Sequence, residues 1–138
     1  MTDLTIAALA RASGVKRETI RYYEQRGLLA PPPRSAAGYR LYAPAEARRV
    51  QFIRSAQSLG FSLDEIAELL ALRSKPGTTR RAIKARAAAK IADIDRKIAA
   101  LGAMRAALAG IESACDGGTG SLGGCPILAA LEREEVSR

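Results

Sequence analysis

The feature that most constrains the fold of this chain is a proline-free helical pattern from about residue 80 to residue 112. Apolar side chains recur in it at spacings of mostly three and four residues, which is the pattern of a coiled-coil seam. They are Ile83, Ala87, Ile91, Ile94, Ile98, Leu101, Met104, Leu108 and Ile111. A helix of roughly 30 residues extends about 45 Å, and burying its stripe against a second chain is worth about 25 cal/mol per Å². The pattern therefore predicts a dimerisation helix. The alternative is a core helix of a single chain, for which the rest of the sequence offers little cover.

Breaks on either side of this pattern divide the chain. Several short helical patterns with turn signals precede it, and Lys-Pro-Gly-Thr-Thr at residues 75–79 predicts a hinge. The glycine-rich residues 116–124 predict a loop, and Pro126 predicts the start of a short last helix. The predicted organisation is a domain at 1–74, a hinge at 75–79, a dimerisation helix at 80–112 and a terminal loop and helix at 113–138.

The first 30 residues predict two helices joined by a tight turn. Thr5 precedes an amphipathic pattern, and Ser13-Gly14-Val15 predicts the turn. Lys16–Arg26 predicts the second helix, which Gly27 ends in the left-handed conformation. This is the layout of a helix-turn-helix. The second helix carries Lys16, Arg17, Arg21, Tyr22 and Arg26, although a solvated amphipathic helix could carry as many charges.

The segment from Pro31 to Tyr42 predicts a small β-wing. Its prolines exclude helix, Gly38 suits a turn, and Tyr39–Tyr42 alternates as a short strand that could pair with Leu28-Leu29. A wing with Arg and Tyr at its tip is suited to the sugar-phosphate backbone. An ordinary proline-rich surface loop is the alternative.

A second helix pair follows the wing. Residues from about Ala45 to Ser58 predict a helix whose start lacks a side-chain cap, and Gly60 ends it. Ser62 and Glu65 have the spacing of a capping box, which predicts the start of the next helix.

Positive charge is concentrated in the first part of the chain. Lys and Arg number 22 against 14 acidic residues, a formal net charge of +8, and residues 1–60 carry ten basic and four acidic side chains. A localised basic surface attracts phosphate backbones, although a basic protein without a polyanionic partner is also compatible with the composition.

Several functional classes are excluded or disfavoured. The chain has no histidine, which excludes His-based acid–base chemistry, and it has no phosphate-binding loop motif, so we expect no enzyme. No run approaches the roughly 18 apolar residues of a membrane span, and no secretory signal is visible. We therefore expect a cytoplasmic protein, in which the two cysteines form no structural disulfide.

These stretches together resemble the MerR family of transcription regulators. The matching segments are Leu4-Thr5-Ile6, Gly14-Val15, Thr19–Glu24, Gly27-Leu28-Leu29, Gly38–Tyr42, Phe52-Ile53 and Leu59–Ile66, in the family's order and spacing. The resemblance implies a mainly α fold: a winged helix-turn-helix domain, a long C-terminal dimerisation helix paired in an antiparallel coiled coil, and a short metal-binding loop with a terminal helix.

The resemblance also implies a mechanism. Members bind as homodimers to double-stranded promoter DNA whose spacer between the two polymerase elements is too long. Effector binding makes the dimer bend and untwist the DNA, so that RNA polymerase can use the promoter. By position, the DNA-binding residues implied are Lys16, Arg17, Thr19, Arg21, Tyr22, Arg34, Tyr39, Arg40 and Arg54.

The two cysteines are the candidate effector site. Cys115 and Cys125 enclose the glycine-rich loop, and Cys125 directly precedes the last helix, whose dipole favours a thiolate. Two soft ligands without histidine suit Cu(I), Ag(I), Au(I) or linear Hg(II), whereas a tetrahedral zinc site needs more ligands. A pair of small buried residues and a reversible dithiol switch are the alternatives.

The placement of these cysteines is similar to the metal loop of the family's copper and mercury sensors. Sensors of divalent ions add a third cysteine at the start of the long helix, donated by the other protomer. The matching position here is Arg80, or Thr79 if the register shifts by one, and neither is a thiolate. This favours a monovalent ion, Cu(I) first, held by two sulfurs. Asp116 is either a further oxygen ligand or a turn residue.

Other functions stay open from the sequence alone. An Hg(II) or other divalent-metal sensor and a thiol sensor of oxidants or electrophiles would use the same DNA-binding machinery. A helical adaptor whose long arm binds partner proteins is a further possibility, and it would lack salt-sensitive affinity for DNA.

Overall fold

The structure, a computed structural model, describes residues 3–133. The chain divides into two compact units, residues 1–90 and residues 91–138. Residues 134–138, the end of the predicted terminal segment 113–138, lie outside the described residues.

The first unit begins with the helix-turn-helix. Helix α1 spans Ile6–Ser13, and the Thr5 hydroxyl caps it by accepting the N–H of Ala8 at 3.2 Å. Helix α2 spans Arg17–Gln25. Gly27 has the predicted left-handed conformation, with a φ of 77°, and Gly14 in the predicted turn after α1 has a φ of 71°.

Residues 33–42, here called the wing, form a hairpin with isolated bridges instead of regular strands. Arg34 pairs with Arg40, and Tyr42 pairs with Leu4 through N–H···O bonds of 2.7 and 2.8 Å. The predicted pairing with Leu28-Leu29 is wrong. The backbone hydrogen bonds of the wing run within the wing and to Leu4, and the Leu28 carbonyl instead accepts the Nε–H of Arg49 at 2.8 Å.

A second helix pair completes the core of this unit. Helix α3 spans Glu46–Ser58 without a side-chain cap at its start, as predicted. Helix α4 spans Leu63–Ser74, and the predicted capping box of Ser62 and Glu65 is confirmed by both of its hydrogen bonds. The core is formed by fully buried side chains from all four helices, among them Leu9, Ile20, Val50, Ile53 and Ile66.

Helix α5, Arg80–Ser113, begins in the first unit and continues into the second. The Thr79 hydroxyl accepts the N–H of Ala82 at 3.3 Å and so caps the first turn. The second unit adds a short 3₁₀ turn at Leu122–Gly124 and helix α6, Pro126–Leu131, which starts at the predicted proline.

The apolar stripe of α5 is exposed. Seven of its eight large side chains are exposed in this single chain: Ile83, Ile91, Ile94, Ile98, Leu101, Met104 and Leu108. The eighth, Ile111, is half-buried. The alternative of a core helix therefore disagrees with the structure, because residues 3–133 do not cover the stripe. No helix among those residues has the length and apolarity needed to cross a membrane.

Candidate functional site

Helix α2 presents a cationic outer face. Ile20 and Tyr23 lie three residues apart and are buried, which fixes the orientation of the helix. Thr19 is half-buried, so it lies at the edge of this face. The remaining predicted residues of the helix region are exposed: Lys16, Arg17, Arg21 and Tyr22.

Arg26, which was not among the predicted site residues, holds the Tyr22 side chain. Its Nη1 donates to the Tyr22 hydroxyl at 3.1 Å, and its guanidinium lies 5.9 Å from the ring centroid. Its Nη2 reaches the Asp64 carboxylate at 3.2 Å. The hydrogen bond with Tyr22 is the main cause that raises the pKa of Arg26. The ring of Tyr22 is thus fixed at the end of α2 by a contact with α4.

The tip of the wing is held by its own hydrogen bonds. Arg34 Nη1 donates to the Gly38 carbonyl at 2.9 Å, and the Ser35 hydroxyl accepts the N–H of Tyr39 at 3.1 Å. Gly38 has a φ of 88°, a conformation that favours glycine. This turn leaves Tyr39 68% exposed at the tip.

A groove of about 350 Å³ separates α2 from the wing. Four of the predicted DNA-binding residues line it: Arg21, Arg34, Tyr39 and Arg40. An open groove with three arginines and a phenol is suited to hold the phosphates of a nucleic-acid backbone.

Arg54 lies at a different place on the surface. A Cβ atom added to Gly14 would lie 2.8 Å from Arg54 Nη1, so this guanidinium packs against the turn between α1 and α2. Lys16 and Arg17 follow that turn directly. Seven of the nine predicted residues therefore form two groups, one at the start of α2 and one at the groove, and the other two, Thr19 and Tyr22, lie elsewhere on α2.

Arg40 differs from the other predicted residues because it is partly turned inward. Its side chain is 32% exposed, and its Nη1 atom is buried without a hydrogen-bond partner. The nearest acid is Glu24 of α2, whose Oε2 lies 3.8 Å from that atom. Glu24 was not predicted to contact the wing, since the sequence pattern places it only on a helix.

The two thiols meet at the start of α6. Cys115 and Cys125 are both reduced and half-buried. The backbone N–H of Leu128 donates to the Cys125 sulfur and lowers the pKa of that thiol. The N–H of Ile127 and the thiol of Cys115 act in the same direction, while burial and the Asp116 carboxylate oppose them.

The donor set around these thiols is small. Within residues 3–133, no cluster of three or more His, Cys, Asp and Glu side chains could hold a metal ion. The Asp116 carboxylate accepts the N–H of Gly118 at 2.9 Å, which is the geometry of a turn residue. Two adjacent sulfurs fit an ion that accepts linear coordination, and they are too few for tetrahedral zinc in one chain.

Sequence comparisons identify the family. The protein-family model described as "MerR HTH family regulatory protein" matches residues 4–72, and the model described as "MerR, DNA binding" matches residues 47–111. The mercuric resistance operon regulatory protein of Pseudomonas fluorescens is 42% identical over 132 residues, which are 96% of this chain and 90% of that protein.

Solved structures show the same fold. The transcription regulator PbrR691 from Ralstonia metallidurans CH34 in complex with lead(II) has a TM-score of 0.83 and 33% identity, over 93% of this chain and 98% of that one. The regulator MerR from Bacillus megaterium MB1 in complex with mercury(II) has a TM-score of 0.68 and 33% identity, over 91% and 96% of the two chains.

The mainly helical fold with a helix-turn-helix and a long helix, which the sequence resemblance implied, is confirmed. The chain belongs to the MerR family of helix-turn-helix regulators, which are DNA-binding transcription regulators and not enzymes.

Proposed function

We propose that this chain is a cytoplasmic, homodimeric transcription regulator that switches a promoter when a soft metal ion binds to Cys115 and Cys125. In this proposal residues 1–74 bind DNA, residues 75–79 are a hinge, residues 80–112 pair the two chains, and residues 113–138 bind the effector. RNA polymerase acts at the same promoter.

For DNA binding, α2 enters the major groove, as the second helix of a helix-turn-helix does. Residues of its exposed face contact bases or phosphates: Lys16, Arg17, Thr19, Arg21 and Tyr22. The remaining proposed contacts hold the sugar-phosphate backbone: Arg34, Tyr39, Arg40 and Arg54. The three arginines around the groove support this division, because a cationic groove binds phosphate irrespective of base sequence.

One observation carries the metal proposal: the Cys115 thiol lies close enough to Cys125, where α6 begins, to help lower the pKa of the Cys125 thiol. Sulfur is the ligand that Cu(I), Ag(I) and Au(I) prefer, and two sulfurs satisfy their linear coordination. Thr79 and Arg80, at the position of a third ligand in divalent-metal sensors, provide no thiolate, and the Thr79 hydroxyl is engaged as the cap of α5. This donor set favours a monovalent ion, Cu(I) first.

Hg(II) is the second candidate effector. It also accepts two sulfurs in a line, and relatives that are 42% identical are named as mercuric resistance regulators. With either ion the switch acts through DNA shape. DNA bound to the dimer can adopt two conformations that differ in stability, and metal binding changes which of the two the dimer favours.

A reporter promoter tested with salts of Cu, Ag, Au, Hg, Zn, Cd and Pb distinguishes these effectors. We expect Cu, Ag and Au to activate transcription most strongly. Cys115→Ser and Cys125→Ser should abolish the response and leave DNA affinity intact, while Ser121→Ala in the same loop should respond fully. A full response in either cysteine variant contradicts the two-sulfur site, and activation by oxidants without metal supports the thiol-redox alternative.

DNA binding is tested separately with Arg21→Ala. We expect weaker binding and a salt slope reduced by about one phosphate contact, with unchanged dimer mass. Arg105→Ala, an exposed arginine of α5, is the control and should bind as the parent does. Unaltered binding by Arg21→Ala would contradict the placement of α2 on DNA.

A further inference from the structure

Glu24 connects the recognition helix to the wing. Its side chain is only 12% exposed, although it belongs to a helix whose outer face is cationic. One carboxylate oxygen, Oε1, accepts a hydrogen bond from the Tyr42 hydroxyl. The other, Oε2, lies 3.8 Å from Arg40 Nη1. A single acid of α2 thus contacts the wing at two positions.

These two positions lie on the same side of the wing. Arg40 and Tyr42 are two residues apart in extended backbone, so their side chains share one face. The backbone of Tyr42 is paired with Leu4, which anchors the root of the wing. Arg40 lines the groove between the wing and α2. The Glu24 carboxylate therefore contacts Arg40, and Arg40 in turn lines the groove in which we propose that the phosphates bind.

We propose that Glu24 is a positioning residue for DNA binding, which fixes the orientation of Arg40 and of the wing relative to the recognition helix. This inference rests on the proposed DNA-binding function. Glu24 does not contact DNA. It holds Arg40 in one geometry before DNA arrives, so the operator complex does not have to order that side chain.

The charge of Glu24 makes the inference testable. Removing a negative charge from a DNA-binding face strengthens binding to any duplex, because phosphates are repelled less. Removing an orienting contact weakens the operator complex more than a non-specific complex, because only the operator complex needs the wing to hold the backbone in one register. A positioning acid therefore has a signature that a simple surface acid lacks: its loss lowers the ratio of specific to non-specific affinity.

The experiment compares Glu24→Gln with Glu18→Gln in the full chain. Glu18 lies in the first turn of the same helix, is exposed, and forms no ion pair within the described residues. Affinity is measured for a duplex that the parent protein has selected from a randomised pool, and for a scrambled duplex of the same length and composition.

For Glu24→Gln we expect the specificity ratio to fall about fivefold, the size of one lost contact of about 1 kcal/mol. Binding to the scrambled duplex should stay equal or become stronger. For Glu18→Gln both affinities should change together and the ratio should be kept. In an Arg40→Met background, Glu24→Gln should lower the ratio by less than in the parent, because only its contact with Tyr42 is then left to weaken. The inference is overturned if Glu24→Gln keeps the specificity ratio of the parent. It is also overturned if Glu24→Gln lowers that ratio as much in the Arg40→Met background as in the parent.

Hydrogen exchange in the free protein separates this inference from the proposed function. The N–H of Ser35, bonded to Tyr39 at 2.7 Å, and the N–H of Leu41, bonded to Pro33 at 2.8 Å, report the order of the wing. We expect both to exchange faster in Glu24→Gln and at the parental rate in Glu18→Gln. Equal rates in both variants overturn the inference even if the parent binds DNA, whereas failure of the parent to bind any duplex overturns the function.

Discussion

At the scale of single residues, Tyr42 is a side chain whose ionisation is strongly altered by the fold. Its side chain is 2% exposed. Burial raises the pKa of Tyr42 from 10.0 to about 12, and the bond with the Glu24 carboxylate acts in the same direction. Because the folded pKa is the higher one, the contribution of Tyr42 to stability is complete below pH 10.0 and is lost as the pH rises through about 12.

Tyr42→Phe tests this account. We expect the free energy of unfolding to fall by about 2 kcal/mol, because a buried hydrogen bond to a charged acceptor is lost. An alkaline titration followed by tyrosinate absorbance should show one fewer late-titrating hydroxyl and keep that of Tyr23, whose pKa is also raised by burial. Tyr39→Phe, at a ring that is 68% exposed, is the control and should leave stability unchanged. If Tyr42→Phe titrates as many late hydroxyls as the parent protein, the assignment to Tyr42 is wrong.

The contacts of Glu24 show what sequence reasoning could not reach at this scale. Ile20 and Tyr23 are three residues apart, a spacing that puts them on one face of a helix, and both are buried. It does not predict that Glu24 meets Tyr42, which is 18 residues further along the chain. That meeting depends on where the wing folds back, and periodicity within one helix carries no information about a separate segment.

At the scale of elements, the signals that act within a few residues were predictable from the sequence. The capping box at the start of α4 is one, because Ser62 and Glu65 satisfy each other's backbone N–H groups whatever surrounds them. The pairing of the wing was not predictable. Leu28-Leu29 has strand-like composition, but those side chains fill the core, and Leu4 is the partner that α1 brings close.

Ser62→Ala measures the contribution of the cap. We expect the free energy of unfolding to fall by about 1 kcal/mol, because the N–H of Glu65 loses its acceptor at the start of α4. Ser58→Ala removes an exposed hydroxyl that bonds only to a carbonyl of its own helix, and it should change stability by less than about 0.5 kcal/mol. Urea unfolding followed by circular dichroism, at one protein concentration, compares the two. Equal losses would show that the cap contributes no more than an ordinary surface hydroxyl.

At the scale of the whole molecule, the exposed stripe of α5 is the feature that one chain leaves unexplained. Ile98, Leu101 and Met104 are each more than half exposed, and they recur at the spacing of a coiled-coil seam. Large apolar side chains in a continuous row are unusual on a monomer and common at interfaces. The same row was visible in the sequence, since helical periodicity alone defines it. Periodicity within one chain does not define the partner, because the partner's surface belongs to a second molecule.

Leu101→Glu tests that pairing directly. If two α5 helices pack along the stripe, a carboxylate at its centre must be buried without a partner or must separate the chains, because the loss of solvation outweighs the packing around one side chain. We expect monomers at micromolar concentration in sedimentation equilibrium, together with weaker binding to DNA, since one recognition helix would then act alone. Ala103→Glu adds the same charge two residues away, on the opposite face of the helix, and it should remain dimeric. A dimeric Leu101→Glu protein, or a monomeric Ala103→Glu protein, would place the interface elsewhere on the chain.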